Sequence, residues 1–173
     1  KNRFDFVKIL NDKNFTNLDK IEIISKYWLE CQKKIVFDKN LNPIYNIFKT
    51  HSANLAVNGN DFTNSSMTAG VIYIVRDPRE IIISYSKHMA KKFDETIDAI
   101  SDQKRLLSPE KNLAVALMSS WNIHYKSWTT LNVPRLVIKY EDMIINPNKE
   151  ITKIAEFLAN RLSIEQNIMN KKI

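Results

Sequence analysis

A strand-like run in the middle of the chain ends on an arginine and turns at once into a helix that carries a serine. In the segment VIYIVRDPREIIISY, Arg76 follows the apolar run and Ser84 stands eight residues later. A guanidinium group matches a phosphate with two parallel hydrogen bonds, and a hydroxyl two turns into the next helix could donate another. The pair therefore predicts an anion site. The alternative is that Arg76 only forms a structural ion pair with a nearby carboxylate, for which the candidates are Asp77, Glu80 and Glu141.

The turn after Arg76 has the residues of a helix N-terminus. Asp77 is a suitable N-cap and Pro78 suits the first helical position. Glu80 lies three residues after Asp77, as in a capping box. The strand would pass into the helix with almost no loop, at the sheet edge where open α/β sheets bind ligands. Free helix amides and the helix dipole would favour an anion there.

Short apolar runs alternate with longer helix-like stretches along the chain. The predicted strands span residues 44–50, 71–76 and 135–140. The predicted helices span about residues 17–36, 78–92, 109–131 and 148–160, with a shorter one near the start. The last two strands are nearly continuous apolar runs, which is typical of parallel strands covered on both faces. An exposed loop is predicted at 57–70. This alternation favours one α/β domain over residues 1–173 with a mainly parallel sheet.

The composition narrows the class of protein. The 173 residues hold 26 Lys and Arg against 19 Asp and Glu, a formal charge of +7. This excess indicates an anionic partner or, alternatively, a solvated basic surface. The two glycines, Gly59 and Gly70, cannot build a Gly-rich phosphate loop. A single cysteine, Cys31, excludes an internal disulfide and is expected to be a packed thiol. With no apolar run of membrane-spanning length and no signal-peptide pattern, we expect a cytoplasmic protein without stable membrane insertion.

Four stretches resemble the PAPS-dependent sulfotransferase family, in matching order. They are FKTHSA at 48–53, YIVRDPREIIISY at 73–85, SSWNIHYKSWTT at 119–130 and VIKYEDMIINPNKEITKIAEFL at 137–158. The resemblance covers roughly residues 44–160 and implies a three-layer α/β/α fold with a central sheet, related to P-loop NTPases. It implies transfer of a sulfuryl group from 3'-phosphoadenosine 5'-phosphosulfate (PAPS) to an acceptor hydroxyl or amine, with PAP as product and no metal.

The resemblance also implies roles for five side chains. Arg76 and Ser84 would bind the 3'-phosphate of the nucleotide, and Tyr140 would lie near its adenine. His51 would remove the proton of the acceptor, for which a near-neutral pKa is suited. Lys49 would stabilise negative charge on the transferring group or the leaving phosphate. The structural alternatives are an exposed loop histidine for His51, a surface lysine for Lys49 and a half-buried aromatic for Tyr140.

Other residues that could take part in chemistry are interpreted as structural. His88 and His124 fall within helical stretches, and Trp121 and Trp128 share one helix face that is expected to face the core. Two carboxylates are expected to orient neighbours or cap a turn, namely Glu141 and Asp142.

Two parts of the family pattern have no match. Nothing in residues 1–43 fits the N-terminal phosphosulfate loop, and no basic Gly-containing loop follows the Tyr-Glu-Asp stretch. The sequence therefore resembles the middle of a sulfotransferase, and the fold is expected to be incomplete. The main rival hypothesis is an inactive nucleotide-binding module of the same fold. A relative of the P-loop kinases is disfavoured because the sequence has no Gly-x-x-x-x-Gly-Lys-Ser/Thr stretch. A nucleic-acid-binding protein is disfavoured because the positive charges are spread along the helices rather than clustered.

The acceptor is expected to be a small molecule or a glycan, and the chain does not specify which. Variable segments form acceptor pockets in such folds, and the segments that might border one are 57–70 and 91–108.

Overall fold

The structure, a computed structural model, describes residues 17–36, 47–109 and 113–170 and confirms an α/β fold. Its strands are β1 (Ala56–Val57), β2 (Asn60–Asp61), β3 (Val71–Val75), β4 (Leu106–Leu107), β5 (Ala116–Leu117) and β6 (Arg135–Lys139). Its helices are α1 (Ile21–Ile24), α2 (Trp28–Val36), α3 (Pro78–Met89), α4 (Phe93–Ser101), α5 (Trp121–Thr129), α6 (Tyr140–Ile145) and α7 (Pro147–Asn170). A 3-10 turn, Ser25–Tyr27, joins α1 to α2. None of the helices in these ranges is long and apolar enough to cross a membrane.

The parallel pair of β3 and β6 organises one edge of the fold. Its register runs from Val71 opposite Arg135 to Val75 opposite Lys139, and this confirms both predicted strands to within one residue. Because parallel strands end at the same edge, the residues after β3 and β6 come together there. The expected covering of both faces is incomplete within the described ranges, since Ile74 is 52% exposed.

An aromatic cluster forms part of the core. The ring of Phe62 packs edge-on against Trp28, with centroids 5.1 Å apart, and against Trp128, with centroids 5.9 Å apart. All three side chains are buried, and such edge-to-face pairs stabilise beyond their buried area. The cluster joins the N-terminal helices, the segment after β2 and α5.

Cys31 lies on α2, fully buried in the same core, and this confirms the interpretation as a packed thiol. Burial, followed by the charge of Glu30, raises the pKa of Cys31 to about 12. The sulfur therefore stays protonated at neutral pH, and it is not a nucleophile in the folded chain.

Two predicted elements are wrong. Residues 47–50 are not a strand, and the rest of that predicted strand lies outside the described residues. The helix predicted at 109–131 begins only at Trp121, because Ala116 and Leu117 instead pair with β4. Ser119 has a φ of 56°, and Ser120 is an extended N-cap, so no helix passes through them.

Other boundaries also differ from prediction. Helix α3 ends at Met89 because Ala90 takes a left-handed conformation, with φ 50° and ψ 40°. Helices α4 and α6 were not predicted, α7 is longer than expected, and the short helix near the start lies outside the described residues. The predicted loop at 57–70 is exposed only in part. It contains the β1–β2 hairpin around Asn58 and Gly59, both with positive φ, and then buries Phe62.

Replacing Phe62 by alanine should lower the free energy of unfolding by about 3–5 kcal/mol, because the change leaves a cavity between two buried indoles. Urea denaturation measures this loss. Phe93, which is 56% exposed, is the matched control, and Phe93→Ala should change stability by about 0.5 kcal/mol or less. Equal losses in the two variants would contradict the assignment of Phe62 to the core.

Candidate functional site

The guanidinium of Arg76 lies against Tyr140 at the carboxyl edge of the parallel pair. Its Cζ atom is 4.7 Å from the centroid of the Tyr140 ring, within the range of a cation–π contact. Arg76 also forms an ion pair with Glu80, whose nearest oxygen is 3.8 Å away. Arg76 therefore lies beside Tyr140, the residue predicted at the nucleotide end of strand β6, and it also has the carboxylate neighbour of the structural alternative. At 3.8 Å the Glu80 contact is too long for a hydrogen bond.

The start of α3 is capped as predicted, but with a different second partner. Asp77 Oδ1 accepts a hydrogen bond of 2.9 Å from the backbone N–H of Arg79, which confirms the N-cap. Hydrogen bonds from the Arg79 guanidinium lower the pKa of Asp77 to about 2. The backbone N–H of Asp77 donates to Glu141 Oε1 at 3.0 Å, while Glu80 faces Arg76. Glu141, at the start of α6, therefore takes the place of Glu80 as the acceptor for the N-cap amide, and it caps a turn as expected.

The predicted anion site on free helix amides is partly occupied by the chain itself. The carboxylate of Asp77 takes the amide of Arg79, and Glu141 takes the amide of Asp77. An anion at this edge would therefore rely mainly on the Arg76 side chain. Ser84 is exposed on the second turn of α3 and, among the described residues, shares no hydrogen bond with Arg76.

Lys49 and His51 line one cavity of about 340 Å³. Lys49 is exposed and His51 is half-buried. The segment at 57–70 contributes Phe62 to the wall, and the segment at 91–108 contributes several residues, so both segments predicted to border a pocket border this cavity. The remaining wall is mainly aromatic and aliphatic; it includes Trp28, Tyr85, Leu107, Leu113, Val115 and Met118.

One face of α5 holds the backbone next to the cavity. The indole N–H of Trp128 donates to the carbonyl of Ser52 at 3.0 Å. The hydroxyl of Ser127 accepts from the backbone N–H of Asn54 at 3.0 Å. Trp128 is thus a core residue, as predicted, and it also has a hydrogen-bonding role that the sequence interpretation missed. Together with the hydrogen bond of 2.7 Å from the backbone N–H of Ala53 to the carbonyl of Leu117 on β5, these contacts fix residues 51–54, which form no strand.

His124 makes a further contact from the same face, to the candidate base. Its Nε2 lies 3.2 Å from the carbonyl oxygen of His51. Since a carbonyl only accepts, Nε2 carries the proton. Burial is the main cause that lowers the pKa of His124, so the ring is neutral and Nδ1 accepts from the Tyr73 hydroxyl at 2.8 Å. Burial also raises the pKa of Tyr73 to about 12, and this hydroxyl therefore keeps its proton.

His124 is structural, as predicted, but its position beside the candidate base was not predicted. The spacing of His124, Ser127 and Trp128 at i, i+3 and i+4 places three hydrogen-bonding side chains on one face of a helix. That pattern was the available signal, because a polar group on a core-facing stripe needs a partner. His88 is exposed, and Trp121 stacks on Tyr125 with ring centroids 6.1 Å apart.

No metal site is formed by the described part of the chain, where His, Cys, Asp and Glu side chains nowhere gather in threes around a common point.

Comparison with known proteins agrees with the family resemblance of the motifs around Arg76 and around His51. The family model described as Sulfotransferase domain matches residues 2–172. Sulfotransferase 1A1 of Rattus norvegicus is 34% identical over 99 residues, which cover 55% of this chain and 32% of that protein. Sulfotransferase 1B1 of Canis lupus familiaris is 28% identical over 132 residues, which cover 72% of this chain and 40% of that protein. A 3-beta-hydroxysteroid sulfotransferase of Cavia porcellus is 27% identical over 104 residues, 58% of this chain and 35% of its own length. The chain spans between 32% and 40% of the length of these relatives.

The neutral state of His124 should make the folded chain less stable below neutral pH. Its pKa is lowered in the folded state, so the unfolded state binds more protons as the pH falls through the ordinary value of about 6.5. Thermal unfolding followed by circular dichroism should give a midpoint that falls from pH 7.5 to pH 5.5. His124→Gln keeps an amide donor for the His51 carbonyl and does not titrate, so its midpoint should fall less over this range.

The two proteins differ only at residue 124, and the difference between the two slopes therefore isolates His124. This contribution is at most about 1.4 kcal/mol per pH unit. Equal slopes in the wild type and His124→Gln would contradict the neutral tautomer.

Proposed function

The chain belongs to the Sulfotransferase domain family, and on this premise we propose that it transfers a sulfuryl group from PAPS to a hydroxyl or amine of a small-molecule acceptor. The observation that carries the proposal is that Lys49 and His51 line the same cavity, about 340 Å³ in volume. This volume lies within the range of small-molecule sites. A cation and a histidine beside one cavity are the groups that such a transfer needs.

The nucleotide end of the proposal rests on Arg76, Tyr140 and Ser84. The side chain of Arg76 is 31% exposed and its only ion-pair partner within the described ranges is Glu80, at 3.8 Å. We propose that the 3'-phosphate replaces Glu80 as the partner of this guanidinium, because phosphate accepts two parallel hydrogen bonds from it. Ser84 supplies an exposed hydroxyl on α3, and Tyr140, which is 37% exposed, offers an aromatic surface for the adenine.

The transfer end of the proposal rests on His51 and Lys49. His51 accepts the proton of the acceptor hydroxyl while that oxygen forms a bond to sulfur. The bond between sulfur and the bridging phosphate oxygen breaks, and PAP leaves with the electron pair of that bond. Lys49 stabilises the negative charge that develops on the leaving phosphate. The hydrogen bond from His124 to the His51 carbonyl limits the movement of the base, which favours a productive orientation.

Calorimetric titration of PAP tests the nucleotide end. The wild type should bind with micromolar affinity, and Arg76→Ala should weaken binding by about 10- to 100-fold, because charge-assisted hydrogen bonds are lost. Arg79→Ala is the matched control, since the Arg79 side chain is 85% exposed and pairs with Asp77. Equal affinity of the wild type and Arg76→Ala, or no binding of PAP at all, would argue against the phosphate site.

Turnover of PAPS with a simple phenol, 4-ethylphenol, tests the transfer end. His51→Gln should lower kcat by about 100- to 10,000-fold through loss of the base, while its affinity for PAP should stay unchanged. His88→Gln, which changes an exposed histidine, is the control and should retain the wild-type rate. A wild type that binds PAP but transfers to no acceptor would instead support the inactive nucleotide-binding module.

A further inference from the structure

Arg105 brings a second cation to the cavity that contains Lys49 and His51. Its guanidinium Cζ atom lies 4.8 Å from the centroid of the Tyr85 ring, and both side chains line the cavity wall. The ring supports one face of the guanidinium. The N–H groups of a guanidinium point outward in its plane, so this stacking leaves them free to donate hydrogen bonds.

The backbone of Arg105 is fixed relative to the cavity. Its carbonyl oxygen accepts hydrogen bonds from the backbone N–H of Met118 at 2.9 Å and from that of Ser119 at 3.1 Å. The next residue, Leu106, pairs with Leu117 in the β4–β5 ladder. The guanidinium therefore starts from an anchored residue and rests on an aromatic ring, which reduces the entropy that a ligand must remove on binding.

The charge around the cavity is positive. Its described lining residues include Lys49 and Arg105, and among them there is no aspartate or glutamate. In the described ranges, Arg105 also takes part in no ion pair. A half-buried guanidinium without an ion-pair partner gains more from a bound anion than a fully solvated one does, because the surrounding dielectric is lower.

The rest of the wall favours a ligand with a flat apolar ring. Trp28, Phe62 and Tyr85 all border the cavity, and the side chains of Trp28 and Phe62 are buried. Aromatic walls bind an aromatic ring through burial and through edge or stacked contacts. A cavity of about 340 Å³ has room for one such ring with a short polar side chain.

We infer that the acceptor is an aromatic hydroxy compound that carries an anionic group, such as a carboxylate, and that Arg105 is the residue that selects this charge. The inference rests on the proposed transfer, since it names the acceptor of that reaction. A compound with the same ring and a protonated amine is disfavoured, because Arg105 and Lys49 repel its positive charge.

Three phenols that differ only in the charge of the side chain test the inference. They are 3-(4-hydroxyphenyl)propionate, 4-ethylphenol and tyramine, titrated calorimetrically into the full chain at pH 7.5 without nucleotide. The anionic compound should bind about 10- to 100-fold more tightly than the neutral one, and the cationic compound more weakly than both. In Arg105→Gln most of the preference for the anionic compound should be lost, and only a smaller preference due to Lys49 should remain. In Arg105→Glu the order should reverse in favour of tyramine.

Lys104→Gln is the matched control. It removes one positive charge next to Arg105, but Lys104 is exposed and does not line the cavity. It should keep the wild-type order, and circular dichroism should show that every variant is folded. The inference is wrong if none of the three phenols binds, if they bind equally, or if the preference for the anionic compound is as large in Arg105→Gln as in the wild type. If the wild type neither binds PAP nor turns over PAPS but still prefers the anionic phenol, the proposed function is wrong and the selectivity of the cavity remains.

Discussion

The hydrogen bonds from α5 to the backbone of residues 51–54 are the contacts on which both halves of the candidate site depend. The segment that carries His51 forms no strand, and a backbone hydrogen bond ties it to β5, from the Ala53 N–H to the Leu117 carbonyl. His124, Ser127 and Trp128 supply the further hydrogen bonds that hold it. His124 is in turn oriented by the Tyr73 hydroxyl on β3, the strand that Arg76 follows. A single helix thus links the cavity to the edge of the parallel pair.

Local chemistry made some of the structure predictable. The sequence runs that form β3 and β6 are short, apolar and followed by turn or helix signals. Both could therefore be predicted as strands, with their bounds correct to within one residue, from sequence alone. The N-cap at Asp77 was predictable for the same reason, since the cap depends on residues within one turn. Arg76 and Tyr140 could be placed at one edge because parallel strands must end together.

Other parts depended on contacts that are distant in sequence. The apolar pattern before Trp121 fits either a helix or a strand, and pairing with β4 decided for the strand. The partner of the Asp77 amide is Glu141, which lies 64 residues away, whereas the local rule pointed to Glu80. The position of Arg105 over Tyr85 and of His124 beside His51 likewise follows from packing between elements, which no local spacing encodes.

The burial of Cys31 has a practical consequence for studying motion in this chain. It is the single cysteine of the sequence, and its sulfur is inaccessible and protonated in the folded state. A thiol-specific alkylating reagent can react only after α2 separates from the core, so the rate of labelling reports how often that helix detaches. The neighbouring Gln32 lines the cavity and donates to the carbonyl of Phe62 at 2.6 Å. Labelling kinetics therefore offer a view of transient opening next to the cavity without any engineered probe.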